Sequence, residues 1–238
     1  TVGRSGNDLH YRGYDIKDLA EHATFEEVAY LLVYGELPTA SALRAYVAKL
    51  KRLRGLPQPV KAALELLPAS THPMDVMRTG CSVLGTVLPE RDSHPVAEAR
   101  DIADRLMASF GSMLLYWYHY SHNGRRVEVE TGDETIAAHF LHVLHGRPPS
   151  ALHARALDQS LILYAEHEFN ASTFAARVIA GTNSDFYSAI TGAIGALRGP
   201  KHGGANEVAM EIIARYRSAD EAEADIRARM ERKEIIIG

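Results

Sequence analysis

The chain has 238 residues, 46% of them hydrophobic and 24% charged, the make-up of a globular protein with ample core in one large domain or two modest ones. A formal net charge of -4 gives no case for nucleic acid or an anionic membrane as partner, and the single cysteine excludes an internal disulfide. No apolar run reaches the roughly 18 residues of a spanning helix, no signal peptide is expected, and a start at Thr1 implies a natural start upstream.

Residues 1–16 mix turn signals with alternating polar and aromatic residues, which predicts a small β-hairpin bent at Ser5-Gly6-Asn7-Asp8. From there the apolar spacing is helical almost throughout. Helices are predicted over 16–23, 24–34, 39–53, 59–67, 74–88, 95–120, 135–144, 149–166, 170–180, 184–197 and 202–216, with Gly and Pro as the main punctuation. Ser218-Ala219-Asp220-Glu221 is a capping box that opens a last helix. The segments 91–94 and 123–133 are the loop-like interruptions. Cys81 falls in a buried-helix pattern, which suits an inert thiol. Ala189, Gly192, Ala193, Gly195 and Ala196 predict a helix gripped closely on several sides. The fold class is therefore mainly α with a short N-terminal β-hairpin.

Several residues invite chemistry that their pattern does not support. His139, His142 and His145 recur every third residue of a predicted helix, which fans them over a broad arc, whereas a metal needs convergent nitrogens. No Glu-x-x-His pair occurs, no metal site is expected, and the histidines read as surface or helix-end residues. Ser172 lacks a nucleophile elbow and, with Thr173, reads as the cap of the next helix. Lys51-Arg52-Arg54 and Arg125-Arg126 read as solvated faces. The rings of Tyr116-Trp117-Tyr118-His119-Tyr120 point all round a helix, which suits packing between helices rather than base stacking.

Two segments survive this sorting. In Arg198-Gly199-Pro200-Lys201-His202-Gly203-Gly204-Ala205-Asn206, Gly199 and Pro200 stop one helix and His202 falls in the first turn of the next. An imidazole at a helix N-terminus is disfavoured as a cation, and a neutral imidazole can donate to a developing enolate oxygen. The paired glycines would let a bulky ligand approach the backbone. A plain helix–helix turn with an incidental histidine is the alternative that spacing leaves open. Tyr164-Ala165-Glu166-His167-Glu168-Phe169-Asn170-Ala171-Ser172-Thr173-Phe174 has the same plan of helix end, polar knot and helix start.

These two segments resemble the two signature regions of the citrate synthase family, and the wording is nearer its 2-methylcitrate synthase branch. The stretches 6–16, 72–80 and 115–124 support the resemblance, which runs the length of the chain. It implies a large α-helical domain over 1–201 and the start of a small domain over 202–238. It implies condensation of an acyl-CoA with oxaloacetate and water: propionyl-CoA in propionate catabolism (the methylcitrate cycle), or acetyl-CoA in the ordinary citrate synthase alternative. His202 would bind the thioester carbonyl oxygen, His167 the oxaloacetate, and Asn170 would support that pocket. Ile235, Ile236, Ile237 and Gly238 would begin the coenzyme A site and lead into a glycine-histidine loop. A catalytic aspartate, a second carbonyl-polarising histidine and carboxylate-clamping arginines would follow beyond the chain. A non-catalytic helical scaffold is the reading if that region is truly cut away. The resemblance further implies a homodimer, no cofactor besides the acyl-CoA substrate, and a cytoplasmic location, with the mitochondrial matrix left open.

Overall fold

The computed structural model describes residues 9–91, 93, 95–234 and 236. β1 (His10–Tyr11) pairs antiparallel with β2 (Tyr14–Asp15) in the register His10 to Asp15 and Tyr11 to Tyr14. The expected bend at residues 5–8 lies outside the described residues. The hairpin that is described turns at Arg12-Gly13, with φ of 51° and 94°. Two left-handed residues in succession match the twist of the strands they join.

Twelve helices follow among the described residues. They are α1 (Ile16–His22), α2 (Phe25–Tyr34), α3 (Ala40–Arg52), α4 (Gln58–Glu65), α5 (Pro73–Val87), α6 (Val96–Asn123), α7 (Ile136–His145), α8 (Ala151–Tyr164), α9 (Ala171–Ala180), α10 (Phe186–Leu197), α11 (Ala205–Ile213) and α12 (Ala219–Glu231). Short polar side chains start most of them. Thr24 forms a complete capping box with Glu27, and Asp15, Thr39, Thr135, Ser150 and Asp185 each accept a backbone N–H from the first turn. The box expected at Ser218 is half made: its hydroxyl accepts the Glu221 N–H, but the Glu221 carboxylate reaches the Arg217 N–H instead.

The main core joins α4, α5, α6, α7 and α10 through Val60, Leu64, Val76, Leu84, Met113, Trp117, Val143, Tyr187 and Ile194. A second cluster packs the hairpin and α1 to α2 and Ile162 of α8. The close grip expected of the small residues in α10 is made by α9, since a Cβ on Gly192 would overlap Ile179 Cδ1. By contrast α11 buries only Ile212, and α12 buries no residue. No described helix is long and apolar enough to cross a membrane.

Two expectations about charged groups are corrected. Arg54 is not on a solvated face: it is 1% exposed, and its guanidinium donates to the carbonyls of Thr131, Asp133 and Thr135 at 2.7–3.2 Å. An arginine that holds three loop carbonyls fixes the whole entry to α7. His139 is likewise inside, 1% exposed, between Ser112 (3.2 Å) and Thr131 (3.0 Å). Burial, with the Arg54 charge nearby, pushes its pKa down to about 4. His119 is also buried, with Nε2 donating to the Val143 carbonyl at 2.9 Å. Cys81 is buried as expected, and burial raises its pKa.

Candidate active site

The first wall of the site is the chain between α8 and α9. α8 stops at Tyr164, and Tyr11 from the hairpin fixes that end: its hydroxyl donates to the Ile162 carbonyl at 2.9 Å and accepts the Glu166 N–H at 3.4 Å. Glu168 has a left-handed backbone, φ 50°, and its N–H bonds to the Glu166 carboxylate. The chain thereby turns sharply and leaves His167 exposed at the apex. Asn170 is the N-cap of α9, with Oδ1 accepting the Thr173 N–H at 3.0 Å. The cap is therefore Asn170, not Ser172-Thr173 as the sequence suggested.

The second wall is the turn between α10 and α11. His202 is not in the first turn of α11, which begins at Ala205. It sits within a tight turn in which the Gly199 carbonyl accepts the N–H groups of His202 (2.9 Å) and Gly204 (3.2 Å). A Cβ on Gly203 would lie 2.6 Å from the Leu197 carbonyl oxygen, and one on Gly204 2.9 Å from that of Arg198. The two glycines are thus required by the fold of the turn against the end of α10. Their Cβ side is filled by protein, while Gly203 also lines the cleft between the two walls.

The two walls meet at one hydrogen bond. His202 Nε2 lies 2.6 Å from the Ser172 hydroxyl. Ser172 is in the first turn of α9, so the helix N-terminus beside the imidazole is that of α9 rather than α11. His167, Asn170, Ser172 and His202 line one cleft of about 680 Å³, with Asn206 as a further polar group and Leu163, Tyr164 and Leu197 as apolar walls. The structure therefore brings together the three sequence-selected residues His167, Asn170 and His202. Ser172 and Tyr11 were missed. A signal for Ser172 existed: with Asn170 as the better cap, a serine two residues on is free to point elsewhere.

Of the residues proposed for coenzyme A, Ile235, Ile237 and Gly238 lie outside the described residues. Ile236 is half-buried and does not line the cleft. Among the described residues, no group of three or more His, Cys, Asp or Glu side chains could hold a metal ion.

The arrangement has close relatives. Residues 1–238 match the family described as citrate synthase, C-terminal domain. Over the full chain the protein is 61% identical to a 2-methylcitrate synthase of Shewanella oneidensis, covering 63% of that protein. It is 42% identical to 2-methylcitrate synthase 1 of Corynebacterium glutamicum over 98% of the chain and 62% of that relative. Among solved structures, citrate synthase from Thermotoga maritima superposes with a TM-score of 0.83 at 36% identity, covering 97% of this chain and 60% of that one. Citrate synthase from Thermoplasma acidophilum, solved as a ternary complex with carboxymethyl coenzyme A and oxaloacetate, gives 0.87 at 28% identity over 96% and 60%. The chain thus spans a little over three fifths of the length of these relatives. The two histidine-bearing turns, the helical fold that opposes them and the end-to-end match together make this chain a member of the citrate synthase family.

Proposed function

We propose that the whole protein is a 2-methylcitrate synthase, condensing propionyl-CoA with oxaloacetate and water to give 2-methylcitrate and coenzyme A. The observation that carries this reading is the shared cleft of His167 and His202, supported by the 61% identity to a 2-methylcitrate synthase. The α-proton of an acyl-CoA is very weakly acidic, so a base and an oxygen-stabilising donor must act together in a site that excludes water. His202 supplies the donor. In the tautomer where the Ser172 hydroxyl donates to Nε2, the ring proton is on Nδ1 and serves as that donor. His167 has no hydrogen-bond partner among the described residues and is free to donate to the oxo-acid. Asn170 spends its carbonyl oxygen on the helix cap and keeps its amide for the pocket. An aspartate base, a second histidine and arginine clamps are contributed by the rest of the protein.

In this reading α11 and α12 begin a small domain with its boundary near His202, in keeping with how little of either helix is buried. The enzyme is a homodimer. Phe174 and Val178, one turn apart on α9, are 67% and 54% exposed, and a second copy of the chain is the partner that covers such a stripe. The protein works in the cytoplasm and uses no cofactor besides its acyl-CoA substrate.

The second reading is a citrate synthase that uses acetyl-CoA. It is favoured by relatives of that name, such as the Mycolicibacterium smegmatis protein at 41% identity. One methylene is worth about 1–3 kcal/mol in an apolar pocket, so both thioesters are expected to turn over. The deciding experiment measures coenzyme A release from the full-length protein with oxaloacetate and each thioester. The reading predicts a higher kcat/KM for propionyl-CoA. Preference for acetyl-CoA would transfer the assignment to citrate synthase, and absence of release with either would leave the scaffold.

A further inference from the structure

The turn that carries His202 is held by side chains outside it as well as by its own backbone bonds. It contains Gly199, Gly203 and Gly204. Backbone hydrogen bonds close the turn, but no side chain within it caps α11. Both arms of the turn are instead tied to one place, the first turn of α5. Before the turn, Arg198 Nε donates to the Asp75 carboxylate at 3.2 Å. After it, Glu207 in the first turn of α11 accepts from His72 Nε2 at 2.8 Å. His72 is the N-cap of α5, and its Nδ1 already accepts the Met74 N–H at 3.1 Å. That bond leaves the ring proton on Nε2, pointing at Glu207. The carboxylate acceptor makes this bond stronger than a neutral pair at the same exposure. The strap joins residues 135 apart in sequence.

From these contacts we infer that His72 is a positioning residue: through Glu207 it holds the α11 side of the turn against α5 and so keeps His202 on Ser172. The connection to His202 is short. The Ala205 N–H donates to the His202 carbonyl at 3.0 Å, two residues before Glu207. His167 stands on the opposite wall, fixed by Tyr11 and Asn170, and the strap does not touch it. Loss of the strap therefore affects the step that His202 serves and spares oxaloacetate binding. The kinetic part of this inference rests on the function proposed above; the positional part does not.

The test uses the full-length protein with His72→Asn, Glu207→Ala, Glu207→Gln and the double variant His72→Asn with Glu207→Ala. Asparagine still caps α5 but is too short to reach Glu207, and glutamine keeps an acceptor for His72. His72→Asn and Glu207→Ala are each expected to lower kcat about tenfold, within the range that a small misplacement of a catalytic group costs. The double variant should be no worse than either single one, and Glu207→Gln should stay near the parent. Oxaloacetate affinity by calorimetry should be unchanged in all four. Hydrogen exchange should speed up at residues 203–209 in the first two variants and the double variant, with α5 still protected. Unchanged exchange at 203–209 in His72→Asn and Glu207→Ala would overturn the strap, whatever the activity. Parental kcat in both would overturn its catalytic consequence. A parent that releases no coenzyme A from either thioester would instead sink the proposed function, and exchange alone would then decide the strap.

Discussion

Ser172 Oγ and His202 Nε2 lie 2.6 Å apart across the cleft, although 30 residues separate them in sequence. The bond holds the His202 ring by its Nε2 edge and leaves Nδ1 for other partners. Ser172→Ala removes that hold without touching the Asn170 cap. The expected result is a fall in kcat of about five- to tenfold, the worth of one neutral hydrogen bond. Oxaloacetate affinity and melting temperature should change little. Steady-state kinetics on the full-length variant check this.

Glu26 gives a pH signature far from the cleft. It is 1% exposed and accepts the Ile136 N–H at 2.7 Å. Burial raises its pKa from the ordinary 4.5 to about 7, with Asp158 adding to the rise and Arg54 opposing it. Between those values the folded state binds more protons than the unfolded state, so stability falls as pH rises from about 4.5 to about 7. His139 acts in the opposite sense. Its pKa is lowered from 6.5 to about 4, so its contribution is complete above 6.5 and is lost as pH falls towards 4. Glu26→Gln keeps the acceptor for Ile136 and cannot ionise. It should stabilise the protein at pH 8 by on the order of 1–3 kcal/mol and have little effect at pH 4.5. Thermal or denaturant unfolding at the two pH values measures it.

The division of the site between two walls predicts motion. Under the proposed function the cleft must admit coenzyme A and then exclude water, which needs one wall to move. The wall expected to do so is the His202 turn with the helices that follow it, α11 and α12, which together bury only Ile212. Oxaloacetate should slow hydrogen exchange over residues 205–231 in the full-length protein. Exchange there as slow as in α5 and α6, with and without oxaloacetate, would count against a hinge.

Much of this was legible in the sequence, for identifiable reasons. Helix positions follow from apolar spacing and from Gly and Pro punctuation, because these signals are local. His167 and His202 stood out because each interrupts a helical pattern with a polar knot. What was not legible depends on distant partners. Nothing near Arg54 shows that three carbonyls from residues 131–135 will wrap its guanidinium. Nothing near His139 shows that Ser112 and Thr131 will receive its ring. Composition points to a bend at Ser5–Asp8, outside the described residues, and the described turn at Arg12-Gly13 uses an arginine in the left-handed region that few non-glycine residues adopt. α11 starts three residues later than the expected 202, because the carbonyls of His202 and Gly203 accept from Ala205 and Asn206 in three-residue turns rather than α-helical bonds.

His167 provides a separable test of the opposite wall. It is exposed at the apex of its turn, so replacing it should not disturb the fold. His167→Ala should weaken oxaloacetate binding and lower turnover together. Calorimetric titration of the full-length variant reads the first, and unchanged affinity would remove His167 from the oxo-acid site.

In the proposed function His202, held by Ser172, stabilises the oxygen of the reacting thioester. The most direct test of this role is the rate of coenzyme A release from propionyl-CoA and oxaloacetate by full-length His202→Ala, with oxaloacetate binding measured in parallel. The account predicts a kcat lower by about two to three orders of magnitude, the range for removing one such donor, with oxaloacetate affinity and melting temperature retained. Near-parental turnover in that variant would contradict it.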